Sequence, residues 1–463
     1  MEKLIVHFGS SQVEVCLPIK CAHLSMTSAA TLPNVEDAIK NSLRQPIGTE
    51  SLVEITQKKL ALNPAARAVI VVSDNTRPVP YTGEAQILWP IIELLLGEGM
   101  DPAQITILVA TGTHRAMTQE ELKVMLDARV FELGISVLNH DCRDADNLVP
   151  VGTTSRGSRI RINRFYQEAD LKILTGLVES HFMAGASGGR KSVCPGLIGE
   201  EGTFIFHGPR FLASPQARDL VLEGNPCHEE ALEVAKMVGV DFIVNVTLDH
   251  QFRITGVYAG HLEKAHQAAV EKIRESVSIS LKHEYDIVLS HAGYVGINHY
   301  QAAKVGVAAI PALKPGGRLL VVADNTDLDP MGSSNYKTML HLLKLMGPEK
   351  FNQLLLSDDW SFVPEQWQVQ MWAKLFAKIP FGNFIYYSPQ FKDGDYRIMP
   401  GTDGRKFLDS SRKLGVLESV SQVIEGALQA IVAQLKVEGN EDVRLAYLAD
   451  GPYGIPVRLE DKS

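Results

Sequence analysis

The chain has 463 residues, of which 45% are hydrophobic and 21% are charged, and its formal net charge is −9. This composition is typical of a folded globular protein of two or three domains, and it excludes a disordered chain, a fibrous repeat and a coiled coil. The acidic balance argues against nucleic-acid binding and against electrostatic docking on an anionic membrane. Fourteen histidines are present, several of them beside Gly, Thr or Ser rather than in apolar stripes.

The cysteines and the apolar runs indicate the cellular compartment of the protein. Five scattered cysteines without a C-x-x-C pair argue against a disulfide framework and against a cysteine-based zinc site. The N-terminus lacks the apolar core of a signal peptide. The longest apolar run, 89–96, is far shorter than the ~20 residues that cross a bilayer. We therefore expect a cytoplasmic protein that does not bind membranes.

Short β-branched runs alternate with helical patterns, which predicts βαβ units and parallel sheets. In the first half the predicted strands are 68–74, 105–112, 171–180 and 241–249, and the predicted helices are 84–96, 118–130 and 263–277. In the second half the predicted strands are 285–291, 317–324, 381–388 and 444–450, and the predicted helices are 300–313, about 337–357, 364–378 and 419–436. The predicted fold class is therefore α/β, with two domains that each contain a mainly parallel sheet flanked by helices.

The domain boundaries follow from this alternation. We expect an N-terminal domain over 1–270, a linker over 271–283 and a C-terminal α/β domain over 284–440. A closing strand and tail occupy 441–463, and their return to the N-terminal domain is one option. In open α/β sheets, ligands bind at the loops that follow the carboxyl ends of the strands.

Polar side chains follow two of the predicted strands, as SDNTRP (73–78) and GTHR (112–115). Asp74 is either an N-cap for the next helix or a functional carboxylate. Arg77 suits a carboxylate or phosphate ligand as readily as it suits solvent. His114 has neither an apolar face nor a capping role, so we consider it functional, with a hydrogen-bonded loop histidine as the alternative.

The most informative stretch is 179–196, with the sequence ESHFMAGASGGRKSVCPG. Three glycines leave backbone N–H groups unshielded, and Arg190 and Lys191 follow at once, as in phosphate-binding loops. The stretch fails the P-loop pattern, because Arg190 stands where G-x-x-x-x-G-K-[ST] requires its second glycine. His181 lies at the mouth of the loop. We predict an anion-binding, chemically active loop, and a flexible surface loop is the alternative.

Single residues elsewhere have two interpretations each. His207, in the aromatic segment FIFHGP (204–209), is typical of a core histidine, and a metal there would have to arrive already held by other ligands. Tyr300 and Lys304 are four residues apart on a predicted helix, so together they suit a substrate carboxylate or form a surface pair. Trp367 is either an aromatic wall of a site or a core residue.

Taken together, these segments resemble the nickel-pincer-nucleotide-dependent lactate racemase family. The resemblance covers about residues 70–370 and rests, in order, on SDNTRP, GTHR, HFMAGASGGRKSVCPG (181–196), His207, YQAAK (300–304) and Trp367. Its most specific part is GGRK-x-x-x-PG, and the closing LAYLADGPYGIP (445–456) is also similar. The resemblance implies an isomerase, with the active site in the cleft between the two domains.

The resemblance also implies a role for each matching residue. Lys191 would carry the cofactor, a pyridinium-3,5-dithiocarboxylic acid mononucleotide nickel, as a thioamide, and His207 would be the protein's ligand to nickel. His114 and His181 would be the paired acid and base. The ribose and phosphate of the cofactor would be held by Asp74, Thr76, Ser187, Gly188 and Gly189. The substrate would be surrounded by Arg77, Tyr300, Gln301, Lys304 and Trp367.

The implied reaction is racemisation or epimerisation at C2 of a 2-hydroxyacid by reversible hydride transfer to the cofactor, with a histidine on each side. Lactate, malate, phenyllactate, aliphatic acids and sugar acids all remain open as substrates. Arg115, Arg190 and His299 either serve a larger substrate or pair with nearby groups. The expected partners are the small-molecule acid and the enzymes that make the cofactor. Two alternatives are a NAD-dependent 2-hydroxyacid dehydrogenase, which lacks its G-x-G-x-x-G here, and a non-catalytic phosphate- or cofactor-binding protein.

Overall fold

The structure is a computed structural model that describes residues 2–458, and the chain divides into two compact units. One unit is continuous in sequence and comprises residues 28–276. The other, which we call the split unit, combines residues 2–27 with residues 277–458.

In chain order the strands are β1 (Glu2–Phe8), β2 (Ser11–Leu17), β3 (Cys21–Leu24), β4 (Ala68–Ser73), β5 (Ile105–Ala110), β6 (Ser136–Asn139), β7 (Leu148–Thr153), β8 (Arg159–Asn163), β9 (Leu171–Leu177), β10 (Ser180–His181), β11 (Gly185–Ala186), β12 (Phe242–Leu248), β13 (Ile254–Gly260), β14 (Ser278–Leu281), β15 (Tyr285–His291), β16 (Leu313–Val322), β17 (Phe384–Tyr387), β18 (Thr402–Asp403), β19 (Leu445–Leu448) and β20 (Ile455–Arg458). The α-helices are α1 (Val35–Arg44), α2 (Leu52–Leu62), α3 (Leu88–Gly97), α4 (Gln119–Met125), α5 (Ala128–Glu132), α6 (Arg164–Gln167), α7 (Glu200–Phe206), α8 (Pro209–Leu212), α9 (Pro226–Val238), α10 (Leu262–Val277), α11 (His299–Ala309), α12 (Ser334–Met346), α13 (Pro348–Leu355), α14 (Gln366–Lys378), α15 (Asp393–Ile398) and α16 (Val416–Val437).

The continuous unit is built on a six-stranded sheet in the order β13-β12-β9-β4-β5-β6. Every neighbouring pair is parallel except β12 and β13, which are antiparallel. Residues 68–72 of β4 are all buried, as is typical of a parallel strand covered on both faces. The parallel strands end at the same edge of the sheet, so the loops that follow β4, β5 and β9 lie at that edge.

The split unit contains a second six-stranded sheet, in the order β18-β17-β16-β15-β19-β3, and every pair in it is parallel. Its side chains alternate between two cores. Val288 packs in the core that contains Trp372, whereas Ile287 and Leu289 pack in the core formed with α16. The two sheets confirm the predicted α/β class with mainly parallel sheets flanked by helices.

The division of the chain differs from the predicted domain boundaries. Residues 2–27 do not join the unit that follows them, because β3 pairs with β19 and the apolar face of the β1–β2 hairpin packs on α16. The predicted linker 271–283 is occupied by the end of α10 and by β14. The predicted closing strand is β19, which lies between β15 and the edge strand β3 in the split unit's sheet, and residues 459–463 lie outside the described residues.

Three predicted helices have different limits, and one of them, about 337–357, is two helices, α12 and α13, separated by Gly347. The predicted helix 118–130 is two helices, α4 and α5. Helix α4 ends at Met125, and the side chain of Asp127 caps the N-terminus of α5 by accepting from the Arg129 N–H. The predicted helix 84–96 begins only at Leu88. A propensity pattern does not register a side-chain cap such as that of Asp127.

Among residues 2–458, helix α16 is long and apolar enough, by length and composition alone, to cross a membrane. Its apolar residues have a different explanation in the structure. Val420, Val423 and Ile424 are fully buried against the sheet and the β1–β2 hairpin. A core helix of a folded domain satisfies the same test.

Substitution of Trp372 in α14 tests how much the core of the split unit contributes to stability. It is fully buried, its indole N–H donates to the Tyr336 hydroxyl at 2.9 Å, and its ring stacks on His299. We expect Trp372→Ala to lower the free energy of unfolding by about 3–5 kcal/mol, because it leaves a cavity in the core and removes the hydrogen bond to Tyr336. Urea denaturation measures the loss. Leu62→Ala, at a side chain that is 86% exposed, should stay within about 0.5 kcal/mol of the parent.

Candidate active site

The loop after β4 and the loop after β5 meet through an Asp–His contact. His114 Nδ1 lies 2.7 Å from Asp74 Oδ2. The other carboxylate oxygen, Oδ1, accepts from the Thr76 hydroxyl at 2.5 Å and from its backbone N–H at 3.1 Å. Burial raises the pKa of Asp74, but the hydrogen bonds from His114 and Thr76 outweigh it, so this pKa lies below its ordinary value. Asp74 is only 4% exposed, whereas the His114 ring is about half exposed.

His181 lies in a small antiparallel hairpin in which β10 pairs with β11. Its Nδ1 accepts from the backbone N–H groups of Met183 and Ala184, both at 3.2 Å. The backbone of the hairpin therefore fixes the orientation of this imidazole.

The loop from 185 to 192 has a conformation that needs glycine. Gly188 and Gly189 have φ values of +72° and +51°, and a Cβ on Gly188 would lie 2.7 Å from Val178. The Gly189 N–H donates to the Asn245 side chain at 3.0 Å. The Ser187 hydroxyl donates to the Leu177 carbonyl at 2.7 Å and accepts from Glu179 N–H at 2.9 Å. These contacts hold the loop against β9 and β12, and they occupy groups that the resemblance assigns to the cofactor.

The buried side chain of Arg190 holds this loop through hydrogen bonds to its backbone carbonyls. It is 1% exposed, and its guanidinium donates to the Ala184 carbonyl at 2.9 Å and lies 2.8 Å from His266 Nε2. Burial lowers its pKa to about 9. Arg190 thus pairs with neighbouring groups of the loop. Among the other cations weighed for a larger substrate, Arg115 forms a two-point ion pair with Glu121.

Lys191 follows directly and has a different environment. Its ammonium lies 5.8 Å from the centre of the Phe206 ring. Burial lowers its pKa to about 7, and the positive charge of Arg77 acts in the same direction. Arg77 itself lies 3.6 Å from a carboxylate oxygen of Glu179. The amine of Lys191 is therefore partly neutral near physiological pH.

His207 ends helix α7, next to Phe206. Burial lowers its pKa to about 3, and the charges of Lys191 and His114 act in the same direction. The imidazole is therefore neutral. His207 and Lys191 lie against the same ring, since the Phe206 ring centre is 4.8 Å from the His207 ring centre and 5.8 Å from the Lys191 ammonium.

A groove of about 480 Å³ lies beside Arg77, between the loop 75–82 and helix α4. It is lined by Asn75, Arg77, Pro78, Val79, Pro80, Tyr81, Thr82, Glu120, Glu121, Val124 and Met125. Its volume is in the range of small-molecule sites.

The other predicted site residues lie in the split unit. Tyr300 and Trp367 are in direct contact, since the Trp367 indole N–H donates to the Tyr300 hydroxyl at 2.9 Å. Gln301 and Lys304 follow on α11, whose first turn is capped by Asn298. His299 is buried, with Nδ1 2.7 Å from the Tyr336 hydroxyl, and so belongs to the aromatic core.

Sequence reasoning missed two residues that support the loop. Asn245 is a fully buried polar residue in the middle of the apolar strand β12, and this interruption was a usable signal. His266 lies on the buried face of α10, where it resembles any core histidine. Only the fold shows that it contacts Arg190 and the Ser187 carbonyl.

The chain is similar in sequence to proteins of known function. The family described as "Lactate racemase N-terminal domain" matches residues 8–219. A protein named lactate racemase from Thermoanaerobacterium thermosaccharolyticum is 32% identical over 381 residues, which cover 81% of this chain and 86% of that one. A protein of the same name from Lactiplantibacillus plantarum is 34% identical over 362 residues, which cover 76% of this chain and 80% of that one.

Solved structures show the same similarity. The lactate racemase apoprotein from T. thermosaccharolyticum matches with a TM-score of 0.81 and 28% identity, over 98% of this chain and 100% of that one. A protein from Thermotoga maritima matches with a TM-score of 0.59 and 17% identity, over 91% and 98%, which indicates a shared fold. The identity and coverage of the two curated relatives show that this chain belongs to the lactate racemase family and is an isomerase.

Proposed function

We propose that this enzyme inverts C2 of a 2-hydroxyacid, lactate or a related acid, with His114 and His181 as acid and base and a nickel-pincer nucleotide carried on Lys191. The observation that carries the proposal is the grouping of Lys191, His207 and the Asp74–His114 pair in one unit. The curated relatives named lactate racemase support the class of reaction.

The residues fit such a cofactor. The amine of Lys191 has a pKa of about 7, so it is a nucleophile at neutral pH. The neutral imidazole of His207 is the form that binds a metal. Within residues 2–458, no three His, Cys, Asp or Glu side chains form a metal site. A pincer ligand brings the further donors that a single histidine needs. When bound, the group supplies an acceptor for the hydrogen at C2.

The chain's own residues bind the acid and move its hydroxyl proton. In this proposal Arg77 and Lys304 hold the carboxylate of the substrate while the planar 2-oxoacid turns between the two faces. The Tyr300 hydroxyl accepts from Trp367, so its own proton is directed to another acceptor, for which a substrate oxygen is suited. His114 and His181 exchange a proton with the hydroxyl oxygen.

The enzyme needs the cofactor-making enzymes as partners, and we propose that it works in the cytoplasm. All five cysteines are free thiols in the structure, in line with a reducing compartment.

The test is co-production of the protein with cofactor-making enzymes. We expect a mass adduct on Lys191, one nickel per chain, and racemisation of at least one acid among lactate, malate, phenyllactate and aldonates. In D₂O the product should keep its original hydrogen at C2, because a hydride is returned rather than a proton taken from solvent. An unmodified Lys191 without nickel, or deuterium at C2, would overturn the proposal.

His207→Ala is expected to remove nickel while the organic adduct stays on Lys191. The alanine deletes the only metal ligand assigned to the protein, whereas the thioamide bond does not depend on it. Metal analysis and intact-mass measurement of one sample separate the two effects. His250→Ala, at an exposed histidine, is the matched control and should retain nickel. Full nickel occupancy in His207→Ala would contradict the assignment.

A further inference from the structure

The two histidines of the proposed site are held by different kinds of partner. Asp74 contacts the Nδ1 atom of His114, whereas backbone N–H groups contact the Nδ1 atom of His181. A carboxylate only accepts hydrogen bonds and a backbone N–H only donates them. The same ring atom is therefore a donor in one histidine and an acceptor in the other.

In His114 the proton lies on Nδ1. The Asp74 carboxylate is buried, and its hydrogen bonds keep it ionised. Because Oδ2 can only accept, the 2.7 Å contact requires an N–H at His114 Nδ1. The neutral ring then has its lone pair on Nε2, which is the arrangement of a general base oriented by a carboxylate.

In His181 the proton lies on Nε2. Met183 and Ala184 direct their N–H groups at Nδ1, at 3.2 Å each, so Nδ1 carries the lone pair. The pairing of β10 with β11 holds these amides in place. A proton on Nδ1 would face two donors and would cost both hydrogen bonds.

We propose that Asp74 is a positioning residue for His114 and that the two histidines are held in opposite tautomers, one ready to accept a proton at Nε2 and the other to donate a hydrogen bond from it. This rests on the proposed function and sharpens it. It also gives Asp74 a different task from the nucleotide binding that the resemblance implies. Both carboxylate oxygens are already engaged, Oδ2 by His114 and Oδ1 by Thr76.

The arrangement has a consequence for the two enantiomers. His114 can take the hydroxyl proton of one enantiomer as it stands. His181 can take the proton of the other only after its Nε2 proton has left to solvent and Nδ1 has gained one, with loss of both backbone hydrogen bonds. The net proton count of His181 is unchanged by this exchange.

The first experiment uses the apoprotein and does not depend on catalysis. Nitrogen-15 NMR of histidine-labelled protein distinguishes the tautomers, and His114→Gln and His181→Gln assign the signals. We expect protonated Nδ1 in His114, with a low-field proton from the contact with Asp74, and protonated Nε2 in His181. Asp74→Asn should remove the low-field proton, whereas Asp127→Asn, a buried Asp bonded to Arg129, should leave it. The same tautomer in both rings would overturn the proposal.

The second experiment uses the loaded enzyme. Asp74→Asn should lower kcat by roughly 10²–10⁴-fold through the wrong tautomer, with KM nearly unchanged and the Lys191 adduct at the parent level. Asp127→Asn should leave kcat unchanged. An Asp74→Asn protein that lacks the adduct but keeps the His114 tautomer would assign Asp74 to the nucleotide instead. A parent protein that shows the NMR pattern but racemises no 2-hydroxyacid would refute the proposed function and leave the Asp74–His114 pair standing.

Discussion

Lys191→Ala is expected to abolish both covalent cofactor attachment and racemisation. The thioamide requires the side-chain amine, and the low pKa of Lys191 comes from its own surroundings, above all its burial and then the charge of Arg77. Intact-mass measurement after co-production with the cofactor-making enzymes should give the polypeptide mass alone, and racemisation should fall to the uncatalysed rate.

Two further variants show whether the amine or the charge matters. Lys191→Arg keeps a positive charge but has no primary amine, so it should also remain unmodified. Lys172→Ala removes another partly buried lysine of the same unit, one that donates to the Val238 carbonyl, and should load normally. An adduct that persists in Lys191→Ala would place the attachment elsewhere.

His114→Ala and His181→Ala are each expected to lower kcat by about 10²–10⁴-fold, the usual contribution of a general acid or base. Nickel content and the Lys191 adduct should stay at the parent level, because neither side chain is assigned to holding the cofactor. Polarimetry from each enantiomer measures the rate, and metal and mass analysis measure the loading.

His261→Ala is a close structural control for His181→Ala. His261 lies in the same unit, and its Nδ1 also accepts from two backbone N–H groups, those of Glu263 and Lys264. Its loss should cost about 1 kcal/mol of stability as a lost helix cap, with kcat unchanged. Parent-level kcat in either His114→Ala or His181→Ala would show that this histidine does not transfer the proton.

The four inner strands of each sheet could be predicted because their residues carry a local signal, whereas the edge strands β3, β6, β13 and β18 were not predicted. A buried parallel strand such as β4 is a continuous apolar run, and the polar residues that follow it stand out at once. The same rule located the loops that contain Asp74, His114 and His181. Parallel strands bring such loops to one edge, so proximity could be expected before any coordinates were known.

Other features depend on contacts that are distant in sequence. Asn245 is 56 positions from its partner Gly189 in the loop, and His266 is 76 positions from Arg190, so a single sequence shows neither pairing. Ser187 and Gly189 fit the pattern of a phosphate-binding loop. In the structure Ser187 hydrogen-bonds to Leu177 and Glu179, and Gly189 hydrogen-bonds to Asn245. Composition and spacing predict which groups are available, but the partners that a group finds are a property of the fold.

The split arrangement of residues 2–27 and 277–458 has a consequence for how the protein is made. The continuous unit is an insertion between β3 and β14, so every residue of its sheet is synthesised before the second segment of the split unit. The split unit cannot complete its sheet until β19 has emerged, because β3 has no other neighbour in that sheet. β1 and β2 pair with each other, but β3 has no partner strand until most of the chain has been synthesised. A fragment that ends before β19 would leave β3 and the β1–β2 hairpin without their partners, whereas residues 28–276 can be produced as one uninterrupted piece.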